Sequence, residues 1–361
     1  MITRYDDVTS LLRSDLSVED RNLDDGFVAA QYDQLTGDSS VLAMSMLDRD
    51  PPDHTRLRRL VTQVLTPRAV AALEPMVTAH VDEALDRVAN ARRADLVKEL
   101  THPLPAAVIS TMLGMPPTDH VRLRELTGIL VLASEVVPEP GVLDAIVAAE
   151  TEASAMIREV IAWKRDKPGN DILTALIAAR HDGDQLTDDE LVAQTLLLYV
   201  GGHETTVNLL GNGAIALLRN PDQCELLRAR PELIGNAVEE FLRYDSPIQQ
   251  TRRITTAPVS VGGREIPPGA YVKLVLASAN RDPGFWGEQV DEVRIDRANA
   301  RRHVSFGGGQ RHCLGAALAR LEGRVALWRL VSRFPRLKLD GNVTWNGRTN
   351  FRGAARIPVV F

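Results

Sequence analysis

Phe306-Gly307-Gly308-Gly309-Gln310-Arg311-His312-Cys313-Leu314-Gly315-Ala316 is the stretch around which the 361-residue chain is organised. Three consecutive glycines neither hold a helix nor fill a core, so Gly307, Gly308 and Gly309 predict a loop that closely approaches another group. Beyond it, Leu314, Leu318, Leu321 and Val325 recur at helical spacing among Ala, Arg and Glu, which predicts a buried amphipathic helix. Cys313 then stands at or near the N-cap, where unpaired amides and the positive end of the helix dipole favour thiolate over thiol. A thiolate shielded by a glycine loop suits a soft metal or a nucleophilic role. Other roles compete. A lone cysteine is commonly a small core residue. A phosphate cradle needs G-x-G-x-x-G or G-x-x-x-x-G-K-[ST], and neither spacing is met. A nucleophile needs a base, which His312 does not supply merely by being next in sequence.

Hydrophobic residues make up 44% of the chain and charged residues 25%, a balance that supports a large core and not disorder. The net charge of −6 argues against a nucleic-acid partner. Only two cysteines occur, Cys224 and Cys313, and no signal-peptide pattern opens the sequence, so a reducing cytoplasm is expected. No apolar run reaches ~18 residues, so no membrane span is predicted.

Taken in order, Ile2 to Tyr5 read as a strand end, with Asp6 or Asp7 capping a short helix through Val8, Leu11 and Leu12. Residues 17–37 are acidic and weakly periodic, a loop. Pro51-Pro52-Asp53 opens a helix with Asp53 as its cap. On it His54 and Arg58, four apart, share a face that also reads as a solvated basic surface, given Arg56 and Arg59 nearby. Residues 67–90, 104–113 and 142–167 predict three scaffold helices, punctuated by Pro116-Pro117 and Pro138-Glu139-Pro140-Gly141. Thr187-Asp188-Asp189-Glu190 is a capping box opening a long buried helix to about Arg219, stopped by Asn220-Pro221. In its middle, Gly201-Gly202-His203-Glu204-Thr205-Thr206 sets polar groups in an apolar helix. A zinc-protease reading fails because the second histidine would fall at Val207. Glu204 and the threonines bonding back to helix carbonyls is one account; glycines making room for a flat ligand beside an acid and a hydroxyl is the other. Glu240 and Arg243 lie three apart on a helical face. Residues 257–275 alternate turns with Val, Ile and Tyr, a small β-sheet. Cys224 reads as structural or simply exposed.

The Cys313 string resembles the haem-binding signature of the cytochrome P-450 family. There Phe, two variable residues, Gly, one residue, a basic residue, one residue, Cys, one residue and Gly follow in order. Phe306, Gly309, Arg311, Cys313 and Gly315 fill every fixed place. The resemblance implies a mainly α cytochrome P-450 fold, a large helical domain with a small β-sheet region. It also implies one domain over residues 1–361, with an N-terminal segment shorter than usual and no room after Cys313 for a fused flavin reductase. The cofactor implied is haem b, with Cys313 as its iron ligand and Phe306, Gly309, Arg311 and Gly315 in its binding loop. No C-x-x-C-H occurs, so covalent attachment is not expected. The stretch around Asp53 is similar to the family helix whose His54 and Arg58 counterparts bind haem propionates. Arg253 matches a third propionate donor, with adjacent Arg252 the runner-up.

The same resemblance makes Glu204 and Thr205 an acid–alcohol pair, Thr205 bonding dioxygen and Glu204 relaying protons. Leu197, Gly201, Ile248, Gln249 and Phe351 become the substrate pocket, apolar with one amide for orientation. Glu240, Arg243 and Arg297 become a buried structural set that fixes the cysteine loop. The activity implied is a monooxygenase acting on an apolar small molecule with O2. Its electrons pass from NAD(P)H through ferredoxin reductase and ferredoxin, the latter docking on Arg56, Arg59, Arg301, Arg302 and Arg320. A peroxide-driven peroxygenase and a haem-binding protein without turnover are the rival expectations.

Overall fold

The computed structural model describes residues 1–24, 40–116, 120–135 and 140–361. Its first half is helical: α1 (Tyr5–Leu12), α2 (Asp53–Thr62), α3 (Pro67–Ala71), α4 (Glu74–Val88), then strand β1 (Arg93–Asp95) and α5 (Pro103–Leu113). There follow α6 (His120–Leu130), α7 (Pro140–Asp166), α8 (Ile172–Ala178), α9 (Asp188–Arg219), α10 (Pro221–Ala229) and α11 (Ile234–Tyr244). Strands β2 (Thr251–Ile254) to β5 (Tyr271–Leu274), with β3 (Val259–Val261) and β4 (Arg264–Ile266) between, form two antiparallel pairs. Helix α12 (Ala316–Arg333) precedes β6 (Lys338–Leu339), β7 (Thr344–Trp345), β8 (Ala354–Arg356) and β9 (Pro358–Val360). β9 lies between β1 and β6, and β7 pairs with β8.

Helix α9 is the axis of the helical body. Thr187 caps it as predicted: its hydroxyl accepts from the Glu190 amide (3.2 Å), and the Glu190 carboxylate accepts from the Thr187 amide (2.9 Å). At 1.5 Å per residue it runs about 48 Å, and it packs against α5, α6, α7, α11 and α12. Glycine sets the closest of these approaches. A Cβ on Gly213 would lie 2.8 Å from Leu327 and 3.2 Å from Phe241, so α11 and α12 can seat there only against bare backbone. A second, smaller core gathers Tyr5, Val8, Leu11 and Leu12 of α1 against Val272, Leu274 and Trp286.

Several local expectations differ from the fold. Asp6, Asp7 and Asp53 are not caps but first-turn residues behind Arg4 and Pro52, where their charge still suits the helix dipole. The helix expected over 67–90 breaks into α3 and α4, because Pro75 has no amide to donate to the carbonyl four residues back. Helices α6 and α8 were not foreseen, although Asp171 caps α8 by accepting from the Thr174 amide (2.9 Å). β1 was also missed, since its partner β9 lies at the far end of the chain. The expected loop over 17–37 falls largely outside the described residues, as do Pro117, Pro138 and Glu139 of the proline-rich punctuation. Cys224 is buried.

The buried charge set reads as expected. Glu240 takes a two-pronged bond from Arg243 (2.7 and 2.9 Å) and is met on both oxygens by Arg297 Nε (3.1 Å). The guanidinium of Arg243 also donates to the carbonyls of Asn280, Val290 and Glu292, and Arg297 to those of Gln289 and Glu292. One carboxylate thus ties α11 to the irregular chain that leads into the cysteine loop. Elsewhere Glu322 on α12 is buried, and its Oε2 has no hydrogen-bond partner.

Arg243→Ala removes one of the two guanidiniums that compensate the buried Glu240 charge and takes the donors from the Asn280, Val290 and Glu292 carbonyls, and is expected to cost about 3–5 kcal/mol in urea unfolding. A loss below about 1 kcal/mol, the scale of an exposed pair, would refute that role. Glu322 gives a pH signature. Burial pushes its carboxyl from 4.5 up to about 8, so between those values the folded chain keeps a proton that the unfolded chain has released. Wild-type stability is therefore lost progressively as pH rises through that window. Glu322→Gln is expected to gain on wild type steadily across it, and parallel stability–pH curves for the two proteins would refute the assignment.

Candidate functional site

The loop before α12 is held from several sides. The Cys313 amide donates to the Phe306 carbonyl (2.8 Å) and closes the turn. Gly307 and Gly309 have φ of +68° and +62°, and a Cβ on Gly309 would sit 2.7 Å from the Leu12 carbonyl oxygen. The close approach predicted for the glycines is therefore made, in part, to α1. Helix α12 begins at Ala316 with Gly315 as its cap, so Cys313 lies just outside the helix, not at the cap itself. The cysteine is exposed by area yet lies deep among protein atoms, the combination expected of a residue lining an internal cleft.

The expected preference for thiolate needs correction. Burial pushes the Cys313 thiol up, against amide hydrogen bonds from Gly315 and Ala316 and the charges of Arg58 and Arg320. The favourable groups named from sequence are present, but desolvation outweighs them. A bound cation would reverse that balance.

Around the sulfur stands a cluster of basic groups. Arg58 on α2 donates to the His312 carbonyl (2.5 Å). Arg311 pairs with Asp50 (2.8 Å) and donates to the Arg49 carbonyl (2.6 Å). His54 is buried with its Nδ1 unpartnered, and burial together with Arg311 and Arg58 lowers its pKa to about 4. Among the described residues Arg253, also buried, donates only to the Arg252 carbonyl (2.6 Å) and the Thr251 hydroxyl (3.3 Å), and burial lowers its pKa to about 10. Arg252 by contrast pairs with Asp20 and with Asp48 (3.2 Å). A buried guanidinium without a carboxylate, beside a buried imidazole with an orphaned nitrogen, is what a ligand with anionic arms would satisfy. The donor set therefore fits a metal-bearing ring with carboxylate side chains.

On α9, Gly201 is exposed and a Cβ added there would meet nothing within 4 Å. Half-buried Leu197 lies one turn earlier on the same face. The Thr205 hydroxyl donates to the Gly201 carbonyl (2.6 Å), so the back-bonding account and the open-glycine account hold together. Its neighbour His203 is buried and anchors α9, with Nδ1 at 3.1 Å from the Thr127 hydroxyl and Nε2 at 3.2 Å from the His102 carbonyl. Glu204 is buried and forms an ion pair with Arg348 (2.8 Å), a partner that nothing local in the sequence announced. Ile248 and Phe351 form an antiparallel bridge. The Gln249 side-chain amide donates one hydrogen to the Ser246 carbonyl (2.6 Å), which leaves its oxygen and its second N–H for orienting a ligand.

Two of the five docking arginines are committed elsewhere. Arg56 holds Glu190 (2.8 and 3.0 Å) and Asp184 (2.9 Å), and Arg320 holds Glu239 (2.7 and 3.0 Å) while lying over the Phe306 ring. Arg59, Arg301 and Arg302 remain exposed. Glu239, unread in the sequence beside Glu240, also takes a bond with His303 (3.0 Å). Burial opposes its charge, but these two partners hold its carboxyl down at about 2. Glu239 thus ties the two sides of the cysteine loop, His303 before it and Arg320 after it, while Glu240 holds the chain further upstream.

Comparison with known proteins agrees with this geometry. The cytochrome P450 family model matches residues 144–348. Cytochrome P450 107B1 of Saccharopolyspora erythraea is 41% identical across 99% of this chain and 88% of its own length. The vitamin D(3) 25-hydroxylase of Pseudonocardia autotrophica is 39% identical, across 99% and 87%. The solved structure of P450BioI in complex with an acyl carrier protein ligated to hexadec-9Z-enoic acid superposes with a TM-score of 0.91 at 33% identity. It covers 99% of this chain and 91% of that one. With its fold, its cysteine loop and its near full-length relatives all in agreement, this chain belongs to the cytochrome P450 family of haem-thiolate monooxygenases.

Proposed function

We propose that the chain carries haem b and inserts one atom of O2 into an unactivated C–H bond of an apolar small molecule, in the cytoplasm. Electrons come from NAD(P)H through a ferredoxin reductase and a ferredoxin that meets the exposed Arg59, Arg301 and Arg302. The observation that supports this best is a buried Arg253 with no carboxylate bond among the described residues and a buried His54 with an orphaned Nδ1, both within electrostatic reach of Arg311 on the braced loop that carries Cys313. Relatives named for polyketide biosynthesis and for vitamin D(3) hydroxylation favour a sizeable apolar substrate.

Each residue has a defined task. Cys313 would hold the haem iron through its sulfur, which accepts from the amides of Gly315 and Ala316, while Phe306, Gly309, Arg311 and Gly315 shape the loop around it. His54, Arg58 and Arg253 hold the carboxylate arms. When bound, the haem supplies O2 binding and reductive O–O cleavage, chemistry that no side chain provides. Thr205 directs its hydrogen to the Gly201 carbonyl, which leaves its oxygen lone pairs to accept a bond within the cleft. Glu204, next along the helix, takes protons from water and passes them inward. Leu197, Ile248 and Phe351 exclude water around the substrate, and the Gln249 oxygen offers one polar contact.

In reductant-driven turnover of a substrate found by screening fatty acids, terpenoids, macrolides and aromatic compounds, Thr205→Ala is expected to keep consuming reductant. Its product per electron pair should fall by roughly tenfold or more. Cys313→Ser is expected to abolish the red-shifted carbon monoxide band of the reduced protein. Faster turnover with hydrogen peroxide alone than with reductant, or no product with either, would overturn the reading. Transfer of haem to apomyoglobin tests the cationic cluster separately. Arg253→Met is expected to speed haem loss about tenfold or more, the scale of a lost charge-assisted bond, whereas Arg252→Met should not. Equal rates would remove Arg253 from the site.

A further inference from the structure

Arg348 joins the acid of α9 to the turn that carries Phe351. Its Nη1 holds Glu204, and its Nη2 donates to the Gly128 carbonyl of α6 (3.2 Å). It sits in the turn between β7 and β8, which is bonded to itself: the Asn346 side chain donates to the Phe351 carbonyl (2.8 Å) and accepts from the Arg348 amide (3.1 Å). Three residues after Arg348, Phe351 bridges Ile248, and the Asn350 carbonyl accepts from the Gln249 amide (3.0 Å). A third side of the turn is held by Glu135, which follows α6. Its carboxylate accepts from the amides of Thr349 (2.7 Å), Asn350 (3.0 Å) and Phe351 (3.1 Å) and from the Thr349 hydroxyl (2.6 Å). Burial pushes the Glu135 carboxyl up, but these bonds hold it below its ordinary value, so the clamp is charged in the neutral range.

A turn bonded this way is fixed internally from Asn346 to Phe351. A ligand pressing on Ile248 and Phe351 acts on the same short segment that carries the counter-ion of Glu204. We propose that Arg348 is a positioning residue that holds the Glu204 carboxylate back while the pocket is empty, and that occupation of the pocket at Phe351 shifts the turn and releases the acid to carry protons. This rests on the assignment of Glu204 and Thr205 as proton-handling groups and of Phe351 as pocket wall. Its consequence is that proton delivery becomes conditional on a seated substrate, which limits the waste of reductant as peroxide.

The haem-loaded protein tests it in two ways. The first is amide hydrogen exchange over residues 346–351, with and without 4-phenylimidazole as an apolar, iron-coordinating probe. Wild type is expected to show altered protection there on adding the probe, and Glu135→Gln to lose part of that response. The second is reductant consumption without substrate. Arg348→Gln is expected to raise it by roughly tenfold, below the full worth of a proton-transfer group, and Arg348→Lys to restore it toward wild type. Unchanged exchange on probe binding overturns the proposal, as does an Arg348→Gln protein that consumes reductant like wild type. Thr205→Ala in the same assay separates the causes. If it changes substrate-free reductant consumption while Arg348→Gln does not, the coupling role alone falls; if neither has any effect, the assignment of the acid–alcohol pair falls with it.

Discussion

A cysteine sulfur can face a cleft in a fixed position only if the backbone carrying it has nowhere else to go. Here that constraint is met by the bond from the Cys313 amide to the Phe306 carbonyl, and by bracing on either side of it. Gly308 and Gly309 lie against Leu12 and Arg13 of α1, which leaves no space for a side chain at Gly309. Asn280 accepts from the Val304 amide and donates to the hydroxyls of Ser246 and Ser305, fixing the approach to the loop. The glycines therefore do more than make room for a ligand: they let the loop lie flush on a neighbouring helix.

The bracing is electrostatic as well as steric. Helix α11 presents two adjacent acids, and each is engaged by two basic side chains. Glu240 holds Arg243 and Arg297, and Glu239 holds His303 and Arg320. Buried ion pairs are poor sources of net stability, since desolvation offsets their attraction. Their value here is directional. Each guanidinium has remaining donors that must find carbonyls, and those carbonyls belong to the irregular segment 280–297. A segment whose regular structure is limited to the short helix Pro283–Trp286 is thereby held in place.

The polar groups in the middle of α9 have contrasting surroundings. Thr205 is bonded within its own helix and His203 to α5 and α6 as a neutral anchor, whereas Glu204 reaches out to a turn at the other end of the chain. Burying a carboxylate in the middle of an apolar helix demands a partner, and the partner chosen lies on the segment that also carries Phe351. Two of the arginines expected on the docking surface are tied down by the same logic of pairing, which narrows the free basic surface to Arg59, Arg301 and Arg302.

What the sequence determined by itself was everything written in local spacing. The Phe306-to-Gly315 string, the Thr187–Glu190 capping box with the length of α9, and the Glu240–Arg243 pair three residues apart each depend on neighbours within one turn or loop. Such features survive in whatever tertiary setting the chain adopts. The splitting of 67–90 at Pro75 was legible too, but the proline was not weighed. What only the tertiary structure decided was pairing at long range. Arg348 on Glu204, Glu239 on His303, Arg56 on Glu190 and β1 on β9 join positions with no shared motif. An arginine reads the same in sequence whether it faces solvent, a carboxylate or a carbonyl. The state of the Cys313 thiol belongs to the same class, because desolvation is set by the atoms packed around a group and not by the residues beside it in the chain.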